Sequence, residues 1–131
     1  MRVAKFFIMM LIATAALTAC KKDSSSSSDK AIEGKWVGKY GFDNEAPSEF
    51  YSFNIKPGGI LEEIGQTGLK IGEGTWKLEN NIFTGVTYST LGSNSKYSVI
   101  AAYDQAKGKL LGDWGFDDSA TDGGTWEMTK Q

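Results

Sequence analysis

Four times in this chain a glycine stands two residues before a tryptophan: Gly34 and Trp36, Gly74 and Trp76, Gly112 and Trp114, Gly124 and Trp126. These pairs contain every tryptophan in the sequence. Positions two apart in a strand point to the same face, so each large ring has bare backbone beside it on its own side. Small barrels fill their interiors by alternating small and large residues. Glycine also permits the coiling that closing a sheet requires. A chain that repeats this pattern four times is constrained toward a curled sheet wrapped around its indoles.

Period-2 alternation predicts eight strands, at 33–42, 50–56, 60–65, 71–79, 82–89, 96–103, 109–116 and 124–130. In the first, Trp36, Gly38, Tyr40 and Phe42 share a face; in the second, Tyr51, Phe53 and Ile55. The fourth groups Gly72, Gly74, Trp76 and Leu78, the sixth Tyr97, Val99, Ala101 and Tyr103, and the seventh Leu110, Gly112, Trp114 and Phe116. The third is ambiguous, because Glu62 and Glu63 are adjacent. Pro57-Gly58-Gly59 and Asn80-Asn81 supply turn positions that tolerate positive φ. No segment carries a 3.6-residue apolar stripe. Every consecutive pair of strands is close enough to form a hairpin, so the expected fold is all-β, an eight-stranded antiparallel up-and-down barrel whose closure removes exposed edges. A split sandwich remains open at this stage.

Ile32-Glu33-Gly34-Lys35-Trp36 resembles the Gly-x-Trp opening strand of the lipocalin-like, or calycin, barrels. The resemblance covers 32–131 in outline and implies that Trp36 closes one end of the barrel. The late arginine that packs over this tryptophan in lipocalins has no counterpart, since no arginine follows Arg2.

The amino terminus carries a different signal. Arg2 and Lys5 precede an uncharged run from Phe6 to Ala19, which is short of the ~20 apolar residues that span a bilayer. The basic-then-apolar order is that of an export signal. The run ends Leu17-Thr18-Ala19-Cys20, which resembles the lipobox of bacterial lipoproteins. That resemblance implies cleavage after residue 19 and lipid, such as palmitate, on Cys20. A lone cysteine in an exported chain calls for a role, and stable anchoring takes at least two acyl chains. Lys21, where inner-membrane lipoproteins tend to carry Asp, points to the outer membrane. Lys22-Asp23 is similar to half of a surface-export signal, which leaves the side of the membrane open. The serine run at 24–28 buries nothing, so 20–31 reads as a flexible linker of about 18 Å root-mean-square span.

Without Arg2 and Lys5, 12 Lys face 16 Asp plus Glu, a net charge of −4, and there is no histidine. The charge and the lack of arginine argue against nucleic acid. With no histidine, Ser-His-Asp triads, Cys-His dyads and histidine zinc sites are excluded. Most acid–base chemistry near neutral pH uses histidine, so the chain reads as non-enzymatic, with no catalytic residue, metal site or cofactor assigned. Glu62 and Glu63 point to opposite faces and cannot act as a carboxylate pair. The loop from Asp117 to Gly123 lacks the spacing of an EF-hand.

The candidate site residues are the aromatics Trp36, Tyr40, Tyr51, Phe53, Trp76, Tyr88, Tyr97, Tyr103, Trp114 and Trp126. They line a pocket for a small apolar ligand, with tyrosine hydroxyls orienting it, or they fill the barrel. The first case makes the chain an anchored ligand-binding lipoprotein. The second makes it an envelope protein-interaction or inhibitor module with a solid core. A void of a few hundred Å³ distinguishes the two.

Overall fold

Each tight turn forms where the sequence offers residues that accept positive φ. Gly58 and Gly59 lie at 79° and 75°, and Asn80 and Asn81 at 50° and 61°. Asn80-Asn81 join Glu79 to its partner Ile82, and two consecutive left-handed residues in a two-residue loop are the requirement of the type I′ hairpin; Lys56 pairs with Ile60, so Pro57-Gly58-Gly59 is a three-residue loop. Between such turns the computed structural model, which describes residues 27–131, places eight strands. They are β1 (Gly34–Tyr40), β2 (Glu49–Lys56), β3 (Ile60–Ile64), β4 (Lys70–Glu79), β5 (Ile82–Ser89), β6 (Lys96–Asp104), β7 (Lys109–Phe116) and β8 (Gly124–Lys130). Each pairs antiparallel with the next and β8 pairs with β1, so the barrel is closed. All eight expected strands are present, with no end moved by more than two residues and three strands matching at both ends.

Closure depends on glycines in a way that alternation alone does not reveal. A Cβ at Gly74 would lie 1.8 Å from the carbonyl oxygen of Val86, and one at Gly112 would lie 1.9 Å from that of Ile100. The neighbouring backbone occupies the space a side chain would need. These glycines therefore do more than leave room beside Trp76 and Trp114: they let adjacent strands approach where the sheet bends.

All four indoles point inward, with exposures of 0 to 7%. Each satisfies its N–H on a backbone carbonyl: Trp36 on Ile32 (2.7 Å), Trp76 on Lys56 (2.8 Å), Trp114 on Gly41 (2.9 Å) and Trp126 on Asp113 (2.8 Å). Around them pack Phe53, Ile55, Leu61, Phe83, Leu110 and Met128, all essentially inaccessible.

Two local readings change. The end of the expected flexible linker is helical, as α1 (Ser27–Ile32). Composition marks a serine run as unable to bury surface, but Ile32 at the helix end is completely buried. Its carbonyl receives the Trp36 indole, and Lys130 donates to the Ala31 carbonyl at 2.6 Å, so tertiary contacts hold the turn in place. The second change is Tyr88. Phe83, Gly85 and Thr87 face inward on β5, so Tyr88 stands on the outer face, 41% exposed, and belongs neither to the core nor to an internal pocket. The expected export signal at 1–19 and Cys20 lie outside the described residues.

Candidate ligand-binding site

The direction of the strands gives the barrel two unlike ends. One end carries the short turns 57–59, 80–81 and 105–108 together with α1, and Ile32 and Trp36 plug it. Tyr103 packs edge-on against Trp36, with ring centroids 6.0 Å apart at 73°. The other end carries the longer connections 41–48, 65–69, 90–95 and 117–123. A cavity of about 250 Å³ opens there, lined by rings of Tyr40, Tyr51, Tyr97, Trp114, Phe42 and Phe116, by Ile71, Leu91 and Ser89, and by the carboxyl of Glu63.

Trp114 organises this wall. Tyr40, Phe42 and Phe116 meet it edge-on at 5.5, 5.4 and 5.2 Å, and Tyr97 tilts against it at 6.3 Å. Tyr51 joins through Tyr40 at 5.3 Å and reaches down to Phe53 at 4.8 Å, where the packed half begins. Such edge-to-face pairs stabilise beyond the area they bury, by about 0.5–1.5 kcal/mol each. The wall is thus held by ring contacts within itself.

The ten aromatics proposed from the sequence divide by height. Tyr40, Tyr51, Tyr97 and Trp114 line the cavity. Trp36, Phe53, Trp76, Tyr103 and Trp126 are packed core, and Tyr88 is outside. The interior is therefore packed from the plugged end up to Tyr51 and Trp114, and the cavity opens above them.

Glu63 is the residue that sequence reasoning missed. Leu61 on β3 is buried against the core, so Glu62 points out and Glu63 points in. Glu62 accordingly meets Lys56 at 3.6 Å and Lys70 at 3.9 Å on the outer surface. Glu63 lies between Phe53 on β2 and Gly72 on β4, and a Cβ at Gly72 would come within 3.2 Å of its own Cβ. The bare glycine makes room for the carboxyl arm. Register shifts immediately after Glu63, which ends the regular pairing at the cavity wall. The signal was available: two adjacent strand residues cannot both face out.

Burial pushes the Glu63 carboxyl up from the usual 4.5 to about 7. Among the described residues no hydrogen bond or ion pair holds it, and no lysine lines the cavity. The Tyr51 hydroxyl is raised well above its usual value, first by burial and then by the Glu63 charge. Tyr40 is raised by burial, with smaller contributions from Glu49 and Glu63. The hydroxyls of Tyr40, Tyr51 and Tyr97 likewise have no hydrogen-bond partner among the described residues, so a carboxyl and three phenols are open to whatever enters. The acidic 117–123 loop is used differently. Asp122 accepts from the Phe116 backbone N–H at 2.8 Å, and Asp118 pairs with Lys96.

A closed eight-stranded meander, plugged at one end and cupped at the other, is the architecture of the lipocalin-like barrels. Two crystal structures of LTBP1 in complex with leukotriene C4, one of them a point mutant, share this fold. Their TM-scores are 0.52 and 0.51 at 13% identity, over 82 and 83% of this chain and 72% of LTBP1. No protein-family model matches the sequence, and no match was found among curated proteins.

Proposed function

We propose that the protein is a non-enzymatic lipoprotein, anchored to the outer membrane through Cys20, whose barrel holds a small, largely apolar ligand at its open end. The observation that carries this reading is the 250 Å³ cavity, with its aromatic walls and unpaired phenol and carboxyl groups. Pockets of this make-up, mostly apolar with a few convergent polar groups, are the usual form of small-molecule sites. The similarity to LTBP1, which binds leukotriene C4, supports a binding role for the barrel interior. The envelope-interaction alternative requires a filled barrel, and the open half of the interior argues against it.

Size limits the ligand. A dry cavity of about 150 Å³ takes benzene. By proportion, 250 Å³ accommodates on the order of ten non-hydrogen atoms, below the range of drug-sized pockets. Tryptophan emission titrated with small aromatic and short aliphatic metabolites tests the site, because Trp114 is in its wall. Quenching that disappears in Trp114→Phe is the expected result. No quenching and no thermal shift with any compound refutes the pocket. The anchor is tested separately: Cys20→Ser should abolish incorporation of alkynyl-palmitate and release the protein from the membrane fraction.

A further inference from the structure

We infer that the cavity selects organic cations: the preferred ligand is a small ammonium compound with an apolar body, its positive head seated between the Glu63 carboxylate and the surrounding aromatic rings. This deepens the ligand-binding reading and rests on it. Three observations converge. Among the described residues the only ionisable groups in the lining are Glu63 and the phenols of Tyr40, Tyr51 and Tyr97, and no cationic side chain there neutralises the carboxyl. Six aromatic rings make up most of the rest of the lining, and aromatic faces attract desolvated cations. Finally, the carboxyl lacks any internal hydrogen-bond donor that would compensate its burial when charged, so a cation entering the cavity supplies the missing partner.

The groups facing Glu63 are accounted for element by element. β2 presents Phe53 and Tyr51, β4 presents Gly72 and Ile71, β1 presents Tyr40, and β6 presents Tyr97. The nearest lysine on β4, Lys70, is held outside by Glu73 at 2.7 Å and by Glu62. A carboxylate-bearing ligand would thus place negative charge beside Glu63 with no cationic side chain in the lining to offset it. A neutral ligand can hydrogen-bond to the phenols and to Glu63 but offers the carboxylate no opposite charge.

The pH dependence separates the cases. A cation binds the ionised carboxyl, so its affinity rises as pH climbs through about 7. A ligand that accepts a hydrogen bond from neutral Glu63 behaves in the opposite way.

The test uses three compounds of near-equal size: phenethylamine, which remains cationic throughout the range, phenethyl alcohol, which is neutral, and phenylacetate, which is anionic. Binding to the full mature protein is followed by tryptophan fluorescence and calorimetry at about pH 5.5 and about pH 8, with Glu63→Gln in parallel. Phenethylamine should bind at least roughly tenfold tighter than either analogue at the higher pH, and roughly tenfold tighter there than at the lower pH. Glu63→Gln should lose that preference and the pH dependence while still binding phenethyl alcohol. Equal or tighter binding of the alcohol or the acid, or an unchanged cation preference in Glu63→Gln, overturns the cation inference and leaves the pocket standing. Failure of all three to bind overturns the inference together with the pocket.

Discussion

The carboxyl of Glu63 should make this barrel less stable as the solution turns from acid to neutral. In the unfolded chain the group titrates at its usual 4.5, and in the folded barrel at about 7. Folding therefore takes up a proton between those two values. The stabilisation is complete below about pH 4.5 and is lost as pH rises through about 7. At about 1.4 kcal/mol per pKa unit, the full difference corresponds to roughly 3 kcal/mol. Glu63 faces a cavity open at the barrel mouth, so water screens part of that cost, and a loss of about 1–3 kcal/mol is expected. Glu63→Gln keeps the shape and removes the titration. Urea unfolding of both proteins from about pH 5 to about pH 8 isolates the effect as the difference between two curves. The surface pairs do not interfere. Lys70 lowers the Glu73 carboxyl and Lys96 lowers that of Asp118, so they act only as pH falls below the usual carboxylate range. The curves should lie close together near about pH 5, diverge as pH rises to about 7 and stay apart above it, with the variant more stable. Parallel curves would refute the placement of Glu63 inside the barrel.

Other substitutions probe the remaining parts. Trp36→Ala removes the plug and strands the Ile32 carbonyl, and should cost about 3–5 kcal/mol in chemical denaturation. Gly74→Ala would drive a Cβ to 1.8 Å from the Val86 carbonyl, so the strand must shift; a fall in melting temperature of several degrees or failure to fold is expected. Tyr88→Ala, on the outer face, should change stability by no more than about 0.5 kcal/mol and leave ligand titrations unaltered.

Much of this architecture is legible in the sequence because the side-chain period of a strand is short and strict. Trp76 with Gly74, or Trp114 with Gly112, marks an inward face within three residues. Asn80-Asn81 marks a hairpin almost alone, and both residues take the left-handed conformation it requires. What could not be read depends on other quantities. On β5 the outward set Ile82, Val86 and Tyr88 is more apolar than the inward set Phe83, Gly85 and Thr87, so composition points to the wrong face. Glu62 and Glu63 look equivalent until Leu61 is known to be buried. The split of the aromatics into core and cavity follows from height along the barrel axis, which strand stagger sets and no single strand reveals. The helical turn before β1 forms because Ile32 is captured by the barrel floor, a contact between segments invisible to local composition.

The supply of hydrogen-bond partners differs between the packed end of the interior and the end that holds the cavity. Every buried indole N–H finds a carbonyl within the chain, at 2.7 to 2.9 Å, so the tryptophans can be packed without leaving a polar group stranded. The phenols of Tyr40, Tyr51 and Tyr97 and the Glu63 carboxyl have no such partner. Closing the barrel over them would strand several polar groups at about 1–3 kcal/mol each, and more for a charge. The cavity is where those unsatisfied groups meet water, and Trp114, bound to Gly41 but ringed by tyrosines, stands at the boundary. The same aromatic pattern that closes the sheet therefore seals one end where indoles fill it, and creates a binding surface at the end where phenols and a carboxyl replace them.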